Sequence, residues 1–189
     1  DQPVDAHLAI EPVARPGERP WSPRVPLVGR HAELALLGDA VTNAIDRRRA
    51  MVLLLSGDAG VGKSRLADEL ADRAAGVNGA RVLTGRFIPY GEANQWSAIA
   101  EVLRQGLGLA EDASEAEASE AATSSIAALL DPVIDGNDLD GVVNGVLHLM
   151  GYDSPLRDTE PSRARVEATR ALVSYMSASI RRGPILVRL

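Results

Sequence analysis

Gly57, Gly60, Gly62, Lys63 and Ser64 stand at the spacing G-x-x-x-x-G-K-[ST], with no mismatch. Residues of these types in this order can grip a polyphosphate. Glycine lets the backbone take turns closed to other residues and come close to an oxyanion. Successive backbone N–H groups then form an anion-binding nest. A helix starting near Ser64 adds its own unpaired N–H groups and the positive end of its dipole. Lys63 is expected to reach the β- and γ-phosphates as a point charge, the catalytic role of the set, and the Ser64 hydroxyl to ligate Mg²⁺. Asp58, Ala59 and Val61 fill the loop between the glycines and Arg65 follows it, so 57–65 is the expected nucleotide-contacting run. Of the 20 lysines and arginines, Lys63 alone is lysine. An otherwise arginine-using chain places its compact ammonium here.

The flanking sequence supplies the elements that such a loop needs. Met51-Val52-Leu53-Leu54-Leu55 is a continuous apolar run, expected as a strand buried on both faces. Ser64 to Ala75 reads as a helix, with Leu66 and Leu70 one turn apart and Gly76 at the exit. Ahead of the run, a helix extends to about Asp46 with Leu34, Leu37, Val41 and Ala44 on one face. Arg47-Arg48-Arg49 falls at its end, where cations suit the dipole.

Downstream, Arg81 to Gly85 reads as a second strand, and Pro89 and Gly91 turn the chain into a helix opened by Trp96. Ile99, Val102, Leu103 and Leu107 form that helix's stripe. Glu111 to Ser125 holds Ala, Glu and Ser with almost no large apolar residue, and is a soluble helix or a mobile insert. Asp135 to Asp140 lacks the glycine and terminal glutamate of a calcium loop and reads as a turn and helix cap. Leu139 to Met150 is a short helix with a structural His148 on its flank. Ser162 to Ile180 is a longer one, with Val166, Leu172, Val173, Met176 and Ile180 as its apolar residues and Thr159 or Ser162 as its cap. Ile185 to Leu189 is a third strand, in which Arg188 is unusual.

Composition narrows the function classes. With 189 residues, 46% of them hydrophobic, the chain can bury a real core, but at 3% aromatic that core must be Leu, Val, Ala and Ile. A net charge of −6 argues against direct nucleic-acid binding by this segment. No cysteine means no disulfide, thiolate zinc site or thiol nucleophile. No apolar run approaches a membrane span and no secretory signal is visible, so a cytoplasmic location is expected. Asp1 to Pro26 holds six prolines: Ala6, Leu8 and Ile10 alternate as a strand would, and Pro12 to Pro26 reads as a semi-rigid linker. Trp21 is either exposed or packs on the domain that follows. With no initiating Met, the chain is expected to begin inside a larger protein, with 1–26 as upstream strand and linker and 27–189 as one domain.

Val28-Gly29-Arg30-x-x-Glu33-Leu34, about thirty residues ahead of the glycine loop, resembles the start of the AAA-related signalling ATPases called STAND proteins. The likeness is to the ATPase module of bacterial large ATP-binding LuxR-type regulators and of actinobacterial proteins that fuse this module to a class III nucleotide cyclase. Gly85-Arg86-x-x-Pro89-Tyr90-Gly91-Glu92 before a Trp-containing helix is similar to the cyclase-linked members. The resemblance implies an α/β P-loop NTPase fold, a three-layer sandwich with a parallel sheet, incomplete on its C-terminal side. It implies ATP/ADP and Mg²⁺ as cofactors, with Val28 and Gly29 against the base and Arg30 near the nucleotide; read from the residues alone, Arg30 is equally a surface ion pair at a helix start. It implies a signalling or transcription regulator that switches between ATP and ADP states, with a cyclase or DNA-binding output domain as partner. In the family the third strand runs into paired Walker B acids; here it reaches Leu189 without one, so turnover is expected only in the full-length protein. Such a remnant, with a sheet edge and a helix face uncovered, is expected to be marginally stable, to dimerise or to need a larger assembly. The alternatives are a non-hydrolysing nucleotide-binding segment and a P-loop small-molecule kinase, the latter disfavoured by the Val-Gly-Arg segment.

Overall fold

The computed structural model of the protein describes residues 27–87, 96–130 and 139–189. Along the chain it has α1 (His31–Asp46), α2 (Lys63–Asn78), β1 (Arg81–Thr84), α3 (Ser97–Leu107), α4 (Glu115–Leu129), α5 (Leu139–Met150), a short 3-10 turn (Pro155–Asp158), α6 (Pro161–Ile180) and β2 (Ile185–Arg188). The two strands pair in parallel, Arg81 opposite Ile185 through Thr84 opposite Arg188. α2 packs on both strands and α3 on β1. The linker and strand expected before residue 27, the turn at Pro89 and Gly91 with Glu92, and Asp135–Asp138 lie outside the described residues.

The sheet is smaller than expected. Met51–Leu55 is not a strand: Val52 is 93% and Leu54 89% exposed, and only Leu55 packs inward. A strand must pass its N–H and C=O groups to neighbours, and among the described residues none runs beside this segment. Among the described residues, then, the expected three-layer sandwich is present only in part, as a two-stranded parallel sheet with helices. One edge of it is closed by a side chain. Gln105 of α3 accepts from the Thr84 N–H at 2.9 Å and donates to the Thr84 carbonyl at 2.8 Å, as a neighbouring strand would. At the next residue α3 and β1 come so close that a Cβ on Gly85 would run into the Ala98 carbonyl.

Most of the core lies among α3 to α6, and alanine and glycine set its geometry. In α6 the buried face is Ala164, Ala168, Ala171, Tyr175 and Ala178, while Val166, Val173 and Ile180 are each more than half exposed. Of the expected apolar set, Leu172 and Met176 pack against the core, but Val166, Val173 and Ile180 do not, and small residues make the central contact. The reason is close approach: Gly145 of α5 sits against Ala171, where an added Cβ would collide with the Ala171 methyl. Small residues let two helix backbones near each other, and dispersion across that contact replaces what larger side chains would bury. The alanine-rich segment after Glu111 obeys the same rule. It forms α4, with Ala118, Ala122 and Ile126 buried in the cluster.

Polar side chains fix the helix ends. Ser114 and Glu117 form a reciprocal capping box at the start of α4. α6 is capped by Glu160, whose carboxylate accepts from the Ser162 and Arg163 N–H groups, and not by Thr159 or Ser162 as expected. Arg181 and Arg182 donate to the carbonyls of Leu129 and Ala128, the last turn of α4. Arg104 donates to the Met150 carbonyl at 2.7 Å and lies over the Tyr152 ring, tying α3 to the end of α5.

Gly145→Val should overpack the α5–α6 contact and destabilise the protein by about 1–3 kcal/mol, read from its urea midpoint. The two capping carboxyls should titrate below the usual glutamate range in an NMR pH titration: Glu117 because the Ser114 hydroxyl and N–H bond it, Glu160 because the Ser162 hydroxyl and then the Ser162 and Arg163 N–H groups do. Lowered folded values mean that these caps stabilise at neutral pH and lose their contribution as pH falls through those values. Ser114→Ala should return Glu117 towards its ordinary value.

Candidate functional site

The glycine loop leads directly into α2. Gly57, Gly60 and Gly62 have φ of +151°, +83° and +92°, a region that L side chains rarely enter. Gly62 is the residue ahead of the first helical turn, and the Leu66 N–H bonds its carbonyl at 3.0 Å. Gly62 thus leads the chain into α2, whose first N–H groups have no intrahelical acceptor. The Lys63 ammonium donates to the carbonyls of Gly57 at 2.9 Å and Asp58 at 2.8 Å, closing the loop on itself. Ser64 is exposed in the first turn of α2, beside Lys63, and Arg65 makes a 3.7 Å ion pair with Glu69 one turn on. Asp58, Ala59 and Val61 are exposed loop positions, and Val61 contributes its backbone.

That backbone is where the upstream segment meets the loop. Arg30, the residue ahead of α1, donates to the Val61 carbonyl at 3.3 Å and to Glu33 at 2.7 Å. Arg30 is thus the ion pair at a helix start that its residues alone suggested, and its second bond reaches the backbone of the glycine loop. The Glu33 carboxyl is held below its usual range chiefly by its hydrogen bond from Arg30. Gly29 takes φ +76°, and Val28 stands 81% exposed next to it. Leu27 packs inward on Leu34, Leu66 and Leu70, so residues 27–30 are anchored at both ends beside the loop.

α2 itself is held from two sides. Leu66 and Leu70 are buried against Leu34 of α1, with Leu37, Val41, Leu55 and Leu186 around them. On another face, Asp68 pairs with Arg188 at the end of β2. Sequence reasoning gave Asp68 no role and met Arg188 as an anomaly. The signal was present, because an arginine inside an apolar strand needs a carboxylate nearby, but its partner is 120 residues away along the chain.

The loop is an open surface turn, with Ser56 to Gly62 exposed. Two clefts of about 410 and 430 Å³ lie elsewhere: one is lined by Trp96, His148 and the start of α6, the other by the end of α1 and Met51. A ligand held here would be held by directed hydrogen bonds and charge more than by enclosure. Among the described residues no group of three His, Asp or Glu side chains could hold a metal on its own. A magnesium ion would fit only as a companion of bound phosphate, with the Ser64 hydroxyl as the protein's donor. No helix among the described residues is long and apolar enough to cross a membrane.

A family model described as AAA ATPase domain matches residues 26–187. No curated protein and no solved structure matches the chain. The matched span takes in the Leu27–Arg30 segment, the glycine loop, α2 and nearly all of the parallel strand pair. By that match the chain, with the P-loop NTPase fold this entails, belongs to the AAA ATPase domain family.

Proposed function

We propose that residues 27–189 are the N-terminal part of an ATP-binding signalling module, following an upstream strand and linker in 1–26. The observation that carries the reading is the Lys63 ammonium seated inside a loop of three positive-φ glycines at the start of α2. In this reading the ammonium exchanges the Gly57 and Asp58 carbonyls for β- and γ-phosphate oxygens. The amides of 57–65 take the remaining oxygens, and Ser64 holds the accompanying Mg²⁺. Val28 and Gly29 contact the base. Arg30, already bonded to the Val61 carbonyl, reports the state of the loop to α1.

Because Asp68 and Arg188 join α2 to β2, a change at the loop can bias the position of the second strand. We therefore place the module in a cytoplasmic multidomain regulator that alternates between ATP and ADP states and acts on a cyclase or DNA-binding output domain. Hydrolysis, a direct attack of water on the γ-phosphate, is assigned to the full-length protein.

Titration calorimetry with Mg·ATP tests the loop. Lys63→Ala should remove charge-assisted hydrogen bonds worth roughly 1.5–3 kcal/mol each, which is about ten- to a hundredfold in affinity. Equal affinity in the variant would refute the phosphate assignment. Arg30→Ala should leave the fold intact and weaken binding by a smaller factor, about two- to tenfold, as expected for one exposed polar contact.

A further inference from the structure

Helix α1 runs out at Asp46 into a turn built from three arginines. The Arg48 N–H bonds the Ile45 carbonyl at 3.0 Å, and the Arg49 N–H bonds the Ala44 carbonyl at 2.9 Å. This pair of bonds puts the residue between them in the left-handed region, a place that favours glycine. α3 and α5 close by the same pair of bonds, on Gly108 and Gly151 with φ of +72° and +86°. α1 closes on Arg48 at φ +49°, the one described residue other than glycine with a positive φ. A side chain at that position costs free energy that glycine would not. An outlier of this kind points to a use for the side chain.

Helix-end electrostatics do not supply that use. The carboxyl end of a helix carries about half an elementary charge, against three guanidinium groups here. Elsewhere in the protein, arginine serves helix ends by direct bonds. Arg104 and Arg157 donate to the Met150 and Gly151 carbonyls at the end of α5, and Arg181 and Arg182 to those of Leu129 and Ala128 at the end of α4. At the end of α1 the carbonyls of Asn43, Ala44 and Ile45 are taken by backbone N–H groups instead. Among the described residues Arg47, Arg48 and Arg49 make no side-chain hydrogen bond or ion pair, not even with the adjoining Asp46. All three are exposed. Arg47 and Arg49 wall an open cleft of about 430 Å³, to which Ala44, Ala50 and Met51 give an apolar part. The cleft is at the opposite end of α1 from Arg30, about 24 Å away along 16 helical residues.

We propose that this turn docks an acidic peptide segment of a partner protein, with carboxylates on the guanidinium groups and one apolar side chain in the cleft. A guanidinium fork matches a carboxylate in a two-bond geometry. The chain as a whole carries a charge of −6. An acidic partner is therefore repelled from most of its surface, and the arginine triplet sets where it lands.

A fluorophore-labelled peptide, acetyl-Glu-Glu-Leu-Glu-Glu-amide, is the probe, with Gln in place of every Glu as control, and anisotropy is read on the full chain. At about 20 mM salt the probe should bind saturably below about 1 mM and weaken several-fold by about 150 mM salt, while the control stays free. Arg49→Gln should weaken binding about three- to fivefold, as for one exposed ion pair, without moving the melting temperature. Arg48→Gly should weaken it similarly and raise the melting temperature, a combination that an arginine with a purely structural role would not give. Lys63→Ala should leave peptide binding unchanged. Absence of saturable binding, equal binding of the control, or indifference to both arginine variants would overturn the proposal. So would loss of binding in Lys63→Ala, which would place the peptide at the glycine loop.

Discussion

A ring of peptide amides can hold phosphate only if the helix behind it does not move. Here that constraint falls on α2. Leu66 and Leu70 are buried against Leu34, and each such side chain contributes about 1.5–3 kcal/mol when fully withdrawn from water. The Asp68–Arg188 pair, with both side chains about a third exposed, adds at most about 1 kcal/mol. Burial therefore anchors the helix, and the ion pair settles which face it turns to the sheet. The loop inherits a fixed platform, and the three glycines need only shape what lies ahead of it.

The same economy of side-chain size governs the rest of the molecule. A chain with 3% aromatic residues cannot fill a core with rings. It brings helices together across alanine and glycine instead, and among the described residues Tyr175 is the largest fully buried side chain. Room for it comes from Gly106, where an added Cβ would stand 2.6 Å from the Tyr175 hydroxyl. Gln105, next in sequence, bonds β1 and so joins the helical cluster to the sheet. The nucleotide half and the helical half thus meet along α3, from Ala98 to Gln105.

How far the sequence could be read follows from where the information resides. The loop was legible because its chemistry dictates residue types at fixed spacing, and Gly57, Gly60, Gly62, Lys63 and Ser64 stand together at the start of α2. Helices α1, α3 and α5 were legible because Leu and Val mark their inner faces. α6 was legible only in part: Leu172 and Met176 pack on the core as expected, but methyl-sized residues carry the closest contact while Val166, Val173 and Ile180 are exposed. Met51–Leu55 was misread because a strand is a relation between segments: apolar residues show that pairing would be favourable, not that a partner lies alongside. The Asp68–Arg188 and Arg30–Val61 contacts were invisible for the related reason that they join residues distant along the chain.

The central claim is that backbone amides from Gly57 to Arg65 grip a polyphosphate. Amide chemical shifts report on those groups one by one. In a ¹⁵N-labelled sample titrated with Mg·ATP, the amides of Gly60, Gly62, Lys63 and Ser64 should shift most, with the strong hydrogen bonds of a phosphate nest moving them downfield, and adenosine should leave them in place. Shifts confined to other regions, or equal responses to ATP and adenosine, would contradict it.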